Sequence, residues 1–150
     1  MIVEKYEITK NLNLILKIHN KIISKTGGEF AIRDEEGLYN SVYRILYYKY
    51  KNISEPFKIA AFILLELGRR HHFFDGNKRT AYLFSKLILT TLGYHLVADY
   101  KEASSIIIIY IDFNSNLTIK NLVFWFKENS ITINVAELEN YLKEFYLKYL

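Results

Sequence analysis

The chain of 150 residues has no cysteine. A disulfide framework is therefore excluded, and a reducing compartment is easily tolerated. Proline is nearly absent as well, with Pro56 alone. No apolar run approaches the roughly 18 residues that a membrane span requires. The start, Met1 to Tyr6, lacks the basic-then-apolar pattern of a secretory signal. A cytoplasmic location with no membrane partner is the expectation. Charge of one sign is not concentrated either. The formal net charge is +4, no block of like charge stands out, and no helix-turn-helix or RNA-binding signature accompanies it. No direct contact with nucleic acid is expected. Repeats and low-complexity linkers are also missing.

What is present is enough apolar material for one core. Apolar residues make up 51% of the chain, and its length suits a single domain spanning 1–150. Leu12, Ile15, Leu16, His19, Ile22 and Ile23 recur at helical spacing, with Thr9 as N-cap and Gly27 as stop. His19 lies on that stripe and reads as a core histidine. Glu29 to Arg33 alternates polar and apolar after a double glycine, which reads as an extended segment. Asp34 caps the next helix, whose inner face is Leu38, Val42, Ile45 and Leu46. Ser54 is the expected cap of a third helix, apolar on nearly every position from Ile59 to Leu67. A fourth runs from about Asn77 to Leu92, ended by Gly93.

Asp99 and Glu102 have the spacing of a capping box and argue for a helix through Ile106 to Ile109, although β-branched propensity favours a strand. Thr118 opens another helix, with Ile119, Leu122, Val123 and Phe126 inward and Trp125 read as packing. The last carries Val135, Leu138, Leu142, Phe145 and Tyr149 on one stripe. The fold class expected is all-α, a bundle of about seven helices with a short extended flap.

Between the third and fourth helices stands the densest chemistry, His71-His72-Phe73-Phe74-Asp75-Gly76-Asn77-Lys78-Arg79-Thr80. His71 suits a general base, since an ordinary imidazole titrates near neutral pH. Asp75 is an oxygen ligand of the kind Mg²⁺ takes together with phosphate oxygens. Gly76 and Asn77 open a helix whose first N–H groups have no internal acceptor, which makes that end an anion site. Lys78 and Arg79 oppose the helix dipole, and an arriving anion explains them. Taken singly, D-G-N is a turn, K-R a solvated face, and His71 a structural histidine. Their coincidence in one loop between two buried helices favours phosphoryl or nucleotidyl transfer.

This string resembles the signature of the Fic/Doc family, H-[PX]-F-x-[DE]-[GA]-N-[GK]-R, and within it the Doc toxin branch. The resemblance covers roughly residues 10 to 95 and implies a Fic/Doc-like fold. Lys78 stands where AMP-transferring members carry a second glycine, and His72 stands where the family has proline. Arg69 matches a basic position ahead of the motif in Doc-like proteins. Residues 24–28 and 33–38 resemble the flap region and the helix after it.

The resemblance implies the following roles. His71 takes the proton of a target hydroxyl, and Asp75 helps hold Mg²⁺. Gly76 and Asn77 bind phosphate through backbone and amide. Lys78 and Arg79 bind the triphosphate and stabilise the transferring group, with Arg69 as a further phosphate contact. Phe73 anchors the loop in the core. Gly28, Glu29, Phe30, Ala31 and Ile32 form the flap that holds the target by strand-like pairing. ATP is the implied substrate, and a Ser or Thr hydroxyl of a translation elongation factor the implied target. Transfer of AMP is the alternative, and a non-catalytic binding module the third reading.

Many members are inhibited by a glutamate in the pattern [ST]-x-x-x-E-[GN]. Glu36-Gly37, Glu128-Asn129 and Glu139-Asn140 supply its second half, but Ile32, Phe124 and Val135 stand where a hydroxyl is needed. A separate antitoxin protein is the expected partner.

Overall fold

A computed structural model describes residues 2–112 and 118–150. Its elements are α1 (Lys5–Thr26), α2 (Glu35–Lys51), α3 (Pro56–Arg69), α4 (Asn77–Thr91), β1 (Tyr94–Leu96), α5 (Tyr100–Ile111), α6 (Ile119–Glu128), β2 (Ser130–Thr132) and α7 (Val135–Tyr149). The protein is a helical bundle, as its periodicity predicts.

At the centre α3 and α4 form the most extensively packed pair. Their sequences explain it. Ile59, Ala60, Ala61, Ile63, Leu64 and Leu67 of α3 are buried, as are Ala81, Tyr82, Leu83, Phe84, Leu87, Ile88 and Leu89 of α4. Small residues let the two backbones come close, and Ser85 Oγ donates to the Ala60 carbonyl across the contact at 3.2 Å. Each Leu or Ile so buried contributes about 1.5–3 kcal/mol. The helices α1, α2, α5, α6 and α7 pack around this pair. No helix among the described residues is long and apolar enough to cross a membrane.

The boundaries differ from expectation at several caps. α1 starts at Lys5 with Glu4 as N-cap, so Thr9 lies inside it and donates its hydroxyl to the Lys5 carbonyl at 3.0 Å. Within a helix a threonine hydroxyl is satisfied locally, so the residue type alone does not mark the start. Glu55, not Ser54, is the N-cap of α3, because Pro56 takes the first helical position; its fixed φ suits that place. Gly27 does end α1, with its N–H on the Ile23 carbonyl at 2.8 Å. Asp34 caps α2, accepting from Gly37 N–H at 2.9 Å. The capping box of α5 is closed in both directions by Asp99 and Glu102.

The inward faces of α6 and α7 are narrower than their patterns suggest. Leu122 and Phe126 are buried, whereas Ile119 and Val135 are exposed; on α7 only Phe145 is buried. Trp125 packs edge-on to Phe126. One element went unforeseen. β1 and β2 pair antiparallel, with Tyr94 opposite Thr132 and Leu96 opposite Ser130. Three residues are too few for alternation to register, and the partner lies beyond two helices.

Candidate active site

The loop between α3 and α4 sits where two buried helices end. Arg70 is the C-cap of α3, and His71 follows in the left-handed region with φ +52°. For a side chain bearing a Cβ that conformation costs roughly 1–2 kcal/mol. It turns His71 outward, exposed, onto an open cleft of about 460 Å³. Asp75, Gly76, Asn77, Lys78 and Arg79 line the same cleft, with Ile22 and Thr26 of α1, Phe74, and Tyr100 of α5 as walls. The imidazole and the opening turn of α4 therefore share one cavity.

That turn is presented with its amides free of internal partners. The first backbone bond of α4 is from Thr80 N–H to the Gly76 carbonyl, so the N–H groups of Asn77, Lys78 and Arg79 lie ahead of it. Gly76 is the N-cap at φ +79°. A Cβ there would also stand 3.3 Å from Ile23 Cδ1 and 3.4 Å from the His19 ring. No acid occupies the first turn, so the helix dipole and the two cations act together on the cleft.

Each side chain has a definite position. Asp75 is exposed, and its Oδ2 accepts the Glu29 N–H of the flap at 2.8 Å. Lys78 Nζ lies 3.1 Å from Asp112 Oδ1 at the end of α5. The Arg79 guanidinium lies over the Tyr100 ring, 4.6 Å from its centroid, a cation–π contact that fixes its plane. Phe73 is buried and stacks on the His19 ring, with centroids 3.7 Å apart. His19 Nε2 donates to the Asp75 carbonyl at 2.8 Å. Burial holds the His19 pKa below the ordinary histidine value, against the pull of its Asp75 bond, so the ring is neutral at pH 7. The core histidine of α1 is thus the floor of the loop.

Two expected phosphate contacts have side chains with other partners. The Asn77 side chain is buried and spends both ends on Phe73: its Oδ1 accepts the Phe73 N–H at 3.0 Å, and its Nδ2 donates to the Phe73 carbonyl at 2.8 Å. Its backbone N–H remains available to an anion. Arg69 is outside the cleft lining; its Nε and Nη2 donate to the Tyr110 carbonyl at 3.0 and 2.6 Å, tying α3 to α5. The tail of a helix offers unsatisfied carbonyls, and a nearby guanidinium takes them before any distant phosphate.

The flap forms no strand beyond one isolated bridge, and that bridge stitches it to the loop. Ile32 bridges antiparallel to Phe73, and the N–H groups of Arg33 and Asp34 both donate to the His72 carbonyl, at 2.7 and 3.1 Å. Gly28, Glu29, Phe30 and Ala31 are exposed, and Glu29 Oε1 accepts the Ala31 N–H at 3.2 Å. A Cβ on Gly28, whose φ is +114°, would stand 3.1 Å from the Asp75 side chain.

Asp75 is the one carboxylate among the cleft-lining residues, and no group of three or more metal-ligating side chains occurs among the described residues. This donor set fits Mg²⁺ carried on phosphate oxygens with water filling the remaining positions, since Mg²⁺ keeps much of its hydration. It does not fit a metal caged by protein alone. Sequence reasoning missed Tyr100, whose place on the wall depends on how α5 packs, and the buried partners of His72. The one available signal for the latter was the unexpected histidine itself.

No curated protein matches the chain. A family profile does: that of the Fic/DOC family, over residues 9–89, which run from α1 to near the end of α4 and include the loop.

Proposed function

Because the chain belongs to the Fic/DOC family, whose members are in general transferases acting on protein hydroxyls, we propose that it is a Doc-like toxin that moves the γ-phosphate of ATP to a Ser or Thr hydroxyl. The observation that carries this reading is Lys78. Its cation stands in the first turn of α4, in the cleft, where AMP-transferring members resembling this chain leave room with glycine. A side chain there crowds one part of the triphosphate path and favours a pose that presents the terminal phosphate.

In this reading the triphosphate lies against the opening turn of α4. The N–H groups of Asn77, Lys78 and Arg79 donate to its oxygens, and the Lys78 and Arg79 cations offset charge that develops during transfer. The pair of Lys78 with Asp112 is partly exposed. Such pairs contribute about 0–1 kcal/mol, so Lys78 exchanges Asp112 for phosphate at little cost. His71 accepts the proton of the target hydroxyl as its oxygen bonds to the γ-phosphorus. The bond from that phosphorus to the bridging oxygen breaks, and ADP leaves. The Asp75 carboxylate would help hold Mg²⁺, which when bound would supply further charge neutralisation. The flap, tied to Asp75 through Glu29, orients the target segment.

A translation elongation factor is the proposed target, which requires a cytoplasmic enzyme. A separate antitoxin is the proposed regulator. Glu36, Glu128 and Glu139 are all exposed and none lines the cleft, which supports inhibition from outside the chain. Expression of the chain alone is expected to stop growth of its host. Normal growth with no modified protein would count against both proposals.

The deciding experiment uses ATP labelled separately at the α- and γ-phosphates, with a host lysate and mass spectrometry of the labelled protein. γ-Label on a Ser or Thr supports phosphoryl transfer. α-Label identifies the alternative, AMP transfer on the same scaffold. If neither label transfers and His71→Ala leaves toxicity unchanged, the chain is a binding module.

A further inference from the structure

His71 holds a strained conformation, and the backbone of α3 does not close on it. A helix that ends in a left-handed residue is ordinarily closed by N–H groups reaching back to its last carbonyls. Among the described residues neither His71 nor His72 donates its N–H to a carbonyl of α3. Strained residues persist only where surrounding structure over-determines them. Beyond the Arg33 and Asp34 amides that the His72 carbonyl accepts, the restraint comes from side chains.

Those side chains converge on Glu66, a turn before the end of α3 and only 8% exposed. Its Oε1 accepts from Arg44 Nε at 2.6 Å and from Ser41 Oγ at 2.9 Å, and forms an ion pair with Arg70 Nε at 2.8 Å. Ser41 is fully buried, and its Oγ lies 2.6 Å from His72 Nε2. Since the hydroxyl hydrogen goes to Glu66, His72 Nε2 carries its own hydrogen and donates it to Ser41. The residue before His71 and the residue after it are thereby fastened to the same carboxylate, one directly and one through Ser41.

An Asp34, His72 and Ser41 series looks like a nucleophilic triad, and the geometry excludes that use. Ser41 Oγ has no solvent access and its bonding is saturated, with Arg44 Nη2 donating to it at 3.1 Å as well. His72 Nδ1 has no hydrogen-bond partner, standing 3.8 Å from Asp34 Oδ2. The cluster holds position and does no covalent chemistry.

We propose that Glu66 is the positioning residue for the catalytic base: through Arg70 on one side and Ser41–His72 on the other, it fixes His71 in the left-handed conformation that faces the cleft. The proposal rests on His71 being the general base. It also gives a physical role to the histidine that replaces the motif proline. A proline would restrict the backbone around the base by its ring; here the His72 ring is anchored in the core instead, while its carbonyl accepts the Arg33 and Asp34 amides that follow the flap.

The test measures Glu66→Gln in the full chain, with Arg70→Gln, Ser41→Ala and their double variant as companions that leave the carboxylate in place. Backbone and imidazole NMR signals of His71 are recorded together with ATP affinity and the rate of label transfer from ATP. The expected result for Glu66→Gln is His71 signals shifted away from a left-handed residue. The transfer rate should fall at least about tenfold, since small displacements of reacting groups carry penalties of that order, with KM for ATP unchanged. Arg70→Gln and Ser41→Ala each give a smaller loss, and the double variant approaches Glu66→Gln. Should Glu66→Gln not fold, the three companions decide the matter by the same signals. Wild-type His71 signals and transfer rates in all folded variants would overturn the proposal. If even the wild-type chain transfers no label, the functional reading fails, while the His71 signals still report whether Glu66 holds that residue.

Discussion

His71 combines exposure, a left-handed backbone and a place on the cleft, so its contributions to stability and activity should separate. His71→Gly relieves the strain and is expected to stabilise the fold by roughly 1 kcal/mol, read as a higher midpoint in urea. The same variant, and His71→Ala, should lose roughly 10²- to 10⁴-fold in transfer, the usual scale of a positioned general base. A drop in both stability and activity would mean that the imidazole is structural. Gly28 offers a second separation. Ala at φ +114° with its Cβ 3.1 Å from Asp75 must displace either the flap or the carboxylate. Gly28→Ala should therefore lower the transfer rate while leaving the thermal midpoint of the bundle nearly unchanged. Both residues could be picked out in the sequence, one as base and one as part of the flap. Their backbone conformations could not, because a φ angle is decided by the elements on either side.

At the scale of elements, the opening turn of α4 depends on Asn77 as a clasp. Its amide satisfies the N–H and the carbonyl of Phe73 together. Asn77→Ala leaves both buried groups unpaired, at a cost of roughly 1–3 kcal/mol for each group so stranded. The expected outcome is a loss of stability in that range, measured by urea unfolding, with ATP affinity weakened because the loop no longer presents its amides. Wild-type stability would show that water replaces the clasp. The sequence placed Asn77 at this helix start but assigned its amide to phosphate. An asparagine at a loop end serves either partner equally well, and only the proximity of the Phe73 backbone decides between them. Likewise Arg69 looks like any other cation in the sequence until α5 ends beside it.

Across the molecule, three histidines are held neutral by the core. Burial is the main cause that lowers the pKa of His19, of His72 and of His95; at His95 Lys86 adds to it. A folded pKa below the unfolded one means that the unfolded chain binds more protons in the interval between them. Stability is then fully present above the unfolded value of about 6.5 and is lost as pH falls below it toward the folded values. The thermal midpoint should decline below about pH 6.5, and His72→Gln should flatten that decline. A midpoint flat from neutral to mildly acidic pH would contradict the burial of these rings.

By itself the sequence determined the helical bundle, the two buried helices at its centre, and the loop of reactive groups between them. Those follow from periodicity and residue type, which are local properties. Only the tertiary structure decided which groups meet: His19 beneath Asp75, Tyr100 against Arg79, Ser41 between Glu66 and His72, and the short sheet joining β1 to β2. Each of these pairs distant positions through the packing of whole helices, and a hydrogen bond or a ring stack leaves no repeat along the chain by which its partner could be known.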